Sequence, residues 1–344
     1  MKTGKWLGID VSKKAYGVQI DRNGKIFKLL ARKEVILSAG AINSPQLLML
    51  SGIGPKGHLV SKNIRSIHDS PMVGGNLQDH TFIHIPIVRK KAIEKDDPNK
   101  KYLEAIQYLY NRTGYLAAPP LSNLLAFFSL ESNVTCPDFQ VYLTYMPSNT
   151  TDLKDFLENS RYRKELSDPL LALNTKYSLF MFHVSLLHPY SRGNITINSN
   201  DPKDSPTIYS NYFIDDRDLE STVTALELVS EVVDTNFFKE GDSFLARMNW
   251  PPCNCFKLRS KEYWRCIAKS TVNTVYHPVG TCMMGPDQKT SVVDGRLRVH
   301  GVKNLRVIDA SIMPTTVSGN TNGPAMMIGE RGSELVKEDN DVPE

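Results

Sequence analysis

The chain offers little to a membrane, a nucleic acid or a metal. No run approaches the roughly eighteen apolar residues needed to span a bilayer, and the polar N-terminus has no apolar signal-peptide stretch. Charge of one sign is also scarce. Lys+Arg 41 against Asp+Glu 37 leaves a formal +4, and clusters such as Arg89-Lys90-Lys91 are diluted by Glu94, Asp96 and Asp97. No basic face remains for a phosphate backbone, so no nucleic-acid partner is expected. Five cysteines leave at least one unpaired, with Cys253, Cys255 and Cys266 close together. Cys253-x-Cys255 has the wrong spacing for a zinc knuckle and lacks a second ligand pair, so no metal site is expected. Up to Asp21 the glycines are Gly4, Gly8 and Gly17, with no apolar strand before them. They make no strand, glycine turn and helix of the kind that holds a dinucleotide phosphate.

What is present reads as about two domains in 344 residues, with an ordinary 41% hydrophobic and 23% charged composition. Val35-Ile-Leu-Ser-Ala is a short apolar run ending at Gly40, as in a strand buried on both faces. Ser44 then supplies a helix N-cap and Pro45 a first-turn residue, before Leu47, Leu48 and Leu50 and a stop at Gly52. From Thr81 the pattern becomes alternating, in 82–88, 138–145, 177–187 and 193–198, as antiparallel strands require. Helical stretches at 101–111 and 216–235 lie between them, and polar loops near 94–101 and 148–168 are expected to be exposed. The first pattern returns at Val275, with a strand over 304–310 and a helix from Pro324. The fold class is therefore α/β plus α+β. An α/β domain of 1–80 and 275–337 is interrupted by a domain of 81–274 built on an antiparallel sheet with helices, and 338–344 is a frayed tail. The strands near Val35 and Val307 should lie in one assembly.

Three C-terminal stretches carry chemistry. His277-Pro-Val-Gly-Thr-Cys-Met-Met-Gly is followed by Arg306-Val-Ile-Asp-Ala-Ser-Ile-Met-Pro and then Ser318-Gly-Asn-Thr-Asn-Gly-Pro. A histidine beside a proline-glycine turn can act as a base. A strand ending in an acid, followed by a glycine- and asparagine-rich turn opening a helix, suits a dinucleotide. His80, His84, His183, His188 and His300 are read as structural, as most isolated histidines are.

This order and wording resembles the glucose-methanol-choline family of flavin-dependent alcohol oxidoreductases, in particular its insect glucose-dehydrogenase-like members. The stretch from Lys33 to Pro55 fits the family's second diagnostic pattern, and Val73-Gly-Gly-Asn-Leu-Gln-Asp-His fits the segment after it. The chain departs from the insect pattern at Gly75, Met283, Gly295 and Gly323. The resemblance implies an FAD-binding domain with an inserted substrate-binding domain, and oxidation of a small alcohol or sugar at a CH-OH group with hydride transfer to flavin. Electrons would pass on to oxygen or a quinone. His277 would be the base, and Asn320 would hold the same substrate oxygen. Asp309 would accept from a ribityl or ribose hydroxyl, with Ala310, Thr321 and Asn322 also at the cofactor. The segment from Asn76 to His80 would lie near the flavin or serve as a hinge loop. A pairing among Cys253, Cys255 and Cys266 is likewise implied by the insect members.

About two hundred or more N-terminal residues of a typical member, including its phosphate-binding turn, have no counterpart here. The alternative function is therefore a cofactor-free relative acting as a binding or structural protein. A nicotinamide enzyme has no fingerprint to support it. Sequons at Asn111, Asn133, Asn149 and Asn194, with the insect resemblance, point to a secreted protein, although this chain shows no signal peptide.

Overall fold

A computed structural model describes residues 6–91, 93, 99–117, 124–131 and 136–341. It divides into two compact units. One is Met1–His80, His188–Asp215 and Tyr276–Glu344; the other is Thr81–Leu187 and Asp216–Val275.

In the first unit, Val35–Leu37 pairs in parallel with Leu305–Val307, so the two ends of the sequence meet in one sheet. Period-two alternation buries Val35, Leu37, Leu305 and Val307 on one face. It sends Arg306 to the other face, where it is only 3% exposed. There its guanidinium bonds the Glu34 and Asp339 carboxylates, each at 2.7 Å, and the Arg296 carbonyl at 2.7 Å. The helix Asn322–Asp339 lies against this layer through Ile328, Gly332 and Leu335, a four-then-three spacing that makes one helical stripe. A Cβ on Gly332 would stand 2.4 Å from Ile308, so glycine sets the closeness of that contact.

The helix after Val35–Leu37 begins earlier than expected, at Gly40, so Ser44 and Pro45 lie inside it. Ser44 is not the N-cap. Its hydroxyl accepts the Ala39 N–H at 3.1 Å and donates to Asp309 at 2.6 Å, so Asp309 caps this helix from across the sequence. Pro45 has no N–H for the Ala41 carbonyl one turn back. The Thr281 hydroxyl donates to that carbonyl at 2.6 Å instead.

A three-stranded antiparallel sheet of Trp6–Ile9, Ala15–Arg22 and Lys25–Leu30 precedes this layer, where no strand was expected. Its second hairpin turns at Asn23-Gly24, both with positive φ, as a two-residue hairpin loop requires. The inward positions are Ala15 and Gly17, too small to leave an apolar alternation in the sequence.

Two boundaries differ from the sequence-based division. Residues 188–215 belong to the first unit, because Leu77 and Gly193 exchange backbone bonds at 3.0 and 2.8 Å and the Ile195 N–H donates to the Gly74 carbonyl at 2.7 Å. Alternation marked this stretch as a strand but could not say which sheet it joins. The expected tail from 338 is helical through Asp339, held by ion pairs of Glu338 and Asp339 with Arg296.

The second unit is a six-stranded antiparallel sheet, ordered Ser243–Leu245, Thr81–Arg89, Ser178–Leu186, Phe139–Met146 and Leu124–Phe128, with Asn273–Thr274 also on Thr81–Arg89. Ser178–Leu186 is buried throughout, and Asp216–Ser230 packs on it and on Lys261–Thr271. Cys253 and Cys266 form a disulfide, Cys266 lying on the helix that buries Tyr263 and Trp264; Cys255 and Cys282 are free thiols. The loop expected over 148–168 instead holds two helices, Thr151–Asn159 and Lys164–Asn174. They bury Leu153 with Leu157 and Leu166 with Leu170, pairs four residues apart. Most of the loop expected near 94–101, and the sequon at Asn133, fall outside the described residues.

His84 and His183 face each other across this sheet, Nδ1 to Nδ1, and both are fully buried. Desolvation pushes the His84 pKa down to about 3 and that of His183 well below its ordinary value. The folded unit therefore binds fewer protons than the unfolded chain once the pH falls below the unfolded histidine value of about 6.5. Their stabilisation is fully present above that value and is lost below it, at about 1.4 kcal/mol per pH unit for each ring. Urea unfolding at pH 7.5, 6 and 5 checks this; a midpoint for this unit that does not move between pH 6 and 5 would contradict it.

Candidate active site

Residues 76–80 of the first unit tie together two stretches far away in sequence. Gln78 exchanges backbone bonds with Val279 at 3.1 and 2.9 Å. Its side-chain amide donates to the Pro314 carbonyl at 3.0 Å and accepts the Thr316 N–H at 3.2 Å. Asn76 donates to the same Pro314 carbonyl at 3.1 Å and accepts from Arg192 at 3.1 Å. Gly280 has φ +91°, and a Cβ there would lie 2.5 Å from the Asn76 carbonyl oxygen, so only glycine lets these segments approach.

The next two residues hold His277. Asp79 accepts the His277 backbone N–H at 3.0 Å on one oxygen and the Tyr212 hydroxyl at 2.5 Å on the other. His80 is fully buried, with its Nδ1 2.9 Å from Nδ1 of His277 and the rings edge to face. On its far side, Nε2 lies 3.0 Å from the Val317 carbonyl oxygen and 2.9 Å from the Thr316 hydroxyl. His277 itself is half-buried, and that burial lowers its pKa. Near neutral pH the ring is therefore uncharged and able to take a proton. Its Nε2 makes no hydrogen bond among the described residues. Pro278 biases His277 toward extended backbone, and the exposed Tyr276 just before it stands at φ +61°, a conformation that bulky side chains seldom adopt.

Of the other expected site residues, Asp309 lies at the start of the helix Gly40–Leu50, and Thr321 and Asn322 lie at the start of Asn322–Asp339. The Asp309 carboxylate accepts from the Gly40 N–H at 3.0 Å, the Ser44 hydroxyl and the Ser311 N–H at 2.8 Å. Three of its roughly four lone-pair sites are thus used, leaving room for about one more donor. Ala310 is half-buried and opens the short turn Ala310–Ile312, on which the helices Gly40–Leu50 and Asn322–Asp339 both pack. Its carbonyl accepts the Gly280 N–H at 3.4 Å, and the next residues continue the pairing, Cys282 to Ser311 and Met284 to Ile312, each at 2.8 Å. Thr321 precedes the helix without a side-chain cap, and Asn322 and Gly323 are exposed. A Cβ at Gly40 or Gly323 would meet nothing within 4 Å, so both backbones border open space. Asn320 is exposed in the turn that follows Ser318, whose hydroxyl is 2.9 Å from Nε2 of His188.

The stretches of His277, Asp309 and Val317 are thus joined. Backbone bonds of 280–284 join the Asp309 stretch to that of His277, and His80 joins His277 to Val317; isolated-histidine reasoning set His80 aside, and its signal was the Val73-to-His80 wording. A literal Gly-x-Gly-x-x-Gly run does occur at Gly52, Gly54 and Gly57, but it follows a helix, and the N-terminus of the short Lys56–Ser61 helix is already taken by Asp69, which accepts the Lys56 N–H at 3.0 Å. Among the described residues no group of three or more His, Cys, Asp or Glu could hold a metal, and no helix is long and apolar enough to cross a membrane.

An α/β unit with a parallel strand pair that ends at an acid, interrupted in sequence by an antiparallel-sheet unit, matches the fold of FAD-dependent oxidoreductases. The chain belongs to the GMC oxidoreductase family, whose N-terminal model matches residues 3–82 and whose C-terminal model matches 189–329. It is similar to ecdysone oxidase of Bombyx mori, 37% identical over 325 residues, which is 94% of this chain and 47% of the relative. It is similar to glucose dehydrogenase [FAD, quinone] of Drosophila pseudoobscura pseudoobscura, 34% identical over 95% of this chain and 50% of the relative. Human mitochondrial choline dehydrogenase is 34% identical over 96% of this chain and 53% of its own length. The chain therefore spans about half the length of the curated relatives it matches. Among solved structures, formate oxidase of Aspergillus oryzae superposes with a TM-score of 0.81 at 25% identity, over 99% of this chain and 61% of that one. The family is FAD-dependent.

Proposed function

We propose that this protein serves in an FAD-dependent oxidation of a CH-OH donor, an alcohol or a sugar, with His277 as the base. The observation that carries this reading is the His277 ring, held at Nδ1 by His80 and through its backbone by Asp79, with Nε2 left without a partner among the described residues and burial keeping it neutral. Such a nitrogen can take the hydroxyl proton of an alcohol as the α-hydrogen departs. FAD, when bound, supplies the hydride acceptor, and electrons leave it to oxygen or a quinone. The exposed Asn320 carries an amide that can orient the substrate oxygen.

The residues present fit the cofactor. Open backbone at Gly40 and Gly323 leaves space, the Asp309 carboxylate can take one further hydroxyl, and Thr321 and Asn322 lie at a helix start that favours negative charge. Ala310 carries the chain between Asp309 and that helix's packing turn. The insect relatives and the sequons support a secreted protein. Anaerobic addition of a panel of primary alcohols, secondary alcohols, sterols and sugars to the FAD-loaded protein tests the reading. Bleaching of the flavin band by at least one class is expected, and a loaded protein reduced by none would overturn it.

A further inference from the structure

We propose that His80 is a positioning residue that fixes the tautomer of His277, so that the proton of the His277 ring sits on Nδ1 and the lone pair on Nε2. The inference rests on the assignment of His277 as the base and adds how its free nitrogen is kept ready. The argument starts at the far end of the chain of contacts. Nε2 of His80 lies 3.0 Å from the carbonyl oxygen of Val317, and a carbonyl oxygen can only accept. Nε2 of His80 must therefore carry a hydrogen, which the Thr316 hydroxyl at 2.9 Å can share as a second acceptor. Full burial favours the neutral ring, and a neutral ring protonated at Nε2 has its lone pair on Nδ1. That lone pair lies 2.9 Å from Nδ1 of His277. Two lone pairs do not approach to that distance, so Nδ1 of His277 carries the hydrogen and donates. The remaining nitrogen, Nε2, is then the acceptor.

The orientation of each partner is itself fixed. The carbonyl of Val317 follows Thr316, whose N–H is held by Gln78, and the His277 backbone is held by Asp79, so the residues flanking and preceding His80 fasten both ends of the relay. An imidazole without such a neighbour would be free to place its proton on Nε2, the nitrogen a base needs bare.

The test is histidine-selective 15N labelling of the full 344-residue chain, with long-range 1H–15N correlation at pH 7.5, His277 being assigned by its loss in His277→Gln. The expected result is a protonated Nδ1 and a bare Nε2 on His277, with His80 protonated at Nε2 only. In His80→Leu most of the His277 population should move to the Nε2–H form, whereas His80→Asn, which keeps an acceptor oxygen near the lost Nδ1, should retain the Nδ1–H form. A wild-type His277 protonated at Nε2, a His80 protonated at both nitrogens, or a His277 tautomer indifferent to His80→Leu would each overturn the inference. The wild-type spectrum suffices even if a variant fails to fold. Whether His277 is the base is decided by turnover, which does not enter these spectra, so the two failures are distinguishable.

Discussion

His277→Ala lowers alcohol-dependent turnover by about 10² to 10⁴-fold, the range over which a positioned acid-base group acts, while leaving FAD affinity nearly unchanged. The separation of the two effects follows from where the ring is fastened. Its only described side-chain partner is His80, and the segment around Asp309 and Thr321 is held by other bonds: Asp309 to Gly40, Ser44 and Ser311, and Cys282 to the Ser311 carbonyl. Removing the imidazole leaves those bonds in place. Stopped-flow reduction of the FAD-loaded protein, with flavin affinity from fluorescence quenching, measures both quantities. A variant that reduces its flavin at the wild-type rate would remove His277 from the chemistry, and one that loses FAD in proportion to turnover would recast it as a cofactor contact.

Arg306→Ala costs about 3 to 5 kcal/mol of stability, the range for breaking a buried ion pair from one side. Arg306 bonds Glu34, Asp339 and the Arg296 carbonyl from the middle of the Leu305–Val307 strand, with Glu34 itself largely shielded. Without the guanidinium, the Glu34 carboxylate keeps the Asn340 amide as its remaining described donor. Arg306→Met, with Glu34→Gln in the same chain, removes both charges and should recover much of the loss. Chemical denaturation of the three proteins checks the order. A single variant as stable as the wild type would mean that Glu34 and Asp339 find solvent when Arg306 goes.

Where period and side chain agreed, the fold was legible. Val35–Leu37 and Leu305–Val307 are short apolar runs at opposite ends of the sequence, and they pair. The nine buried residues of Ser178–Leu186 likewise announce a central strand. Patterns failed where small residues do the packing, as with Ala15 and Gly17, whose strands leave no apolar stripe, and where helices are short, as with Thr151–Asn159. At the site, motif wording singled out His277 because of the Pro-Val-Gly beside it. The wording from Val73 to His80 marked the segment of His80 but not its contacts, since its partners are 197 and 237 residues away. Contacts of that span are not readable from the periodicity of one sequence.

The disulfide of the second unit raises a question of choice. Cys266 has two candidate partners on one short turn, Cys253 and Cys255, and the native bond takes the one 13 residues away. The competing loop is two residues shorter, a difference worth about 0.1 to 0.2 kcal/mol of closure entropy. Chain statistics therefore scarcely distinguish them. Burial does: Cys253 is fully buried, while Cys255 is exposed with its thiol toward the Pro252 carbonyl. Burial therefore marks which sulfur is paired where loop length leaves the two pairings nearly equal, and the covalent bond follows the packing of this unit.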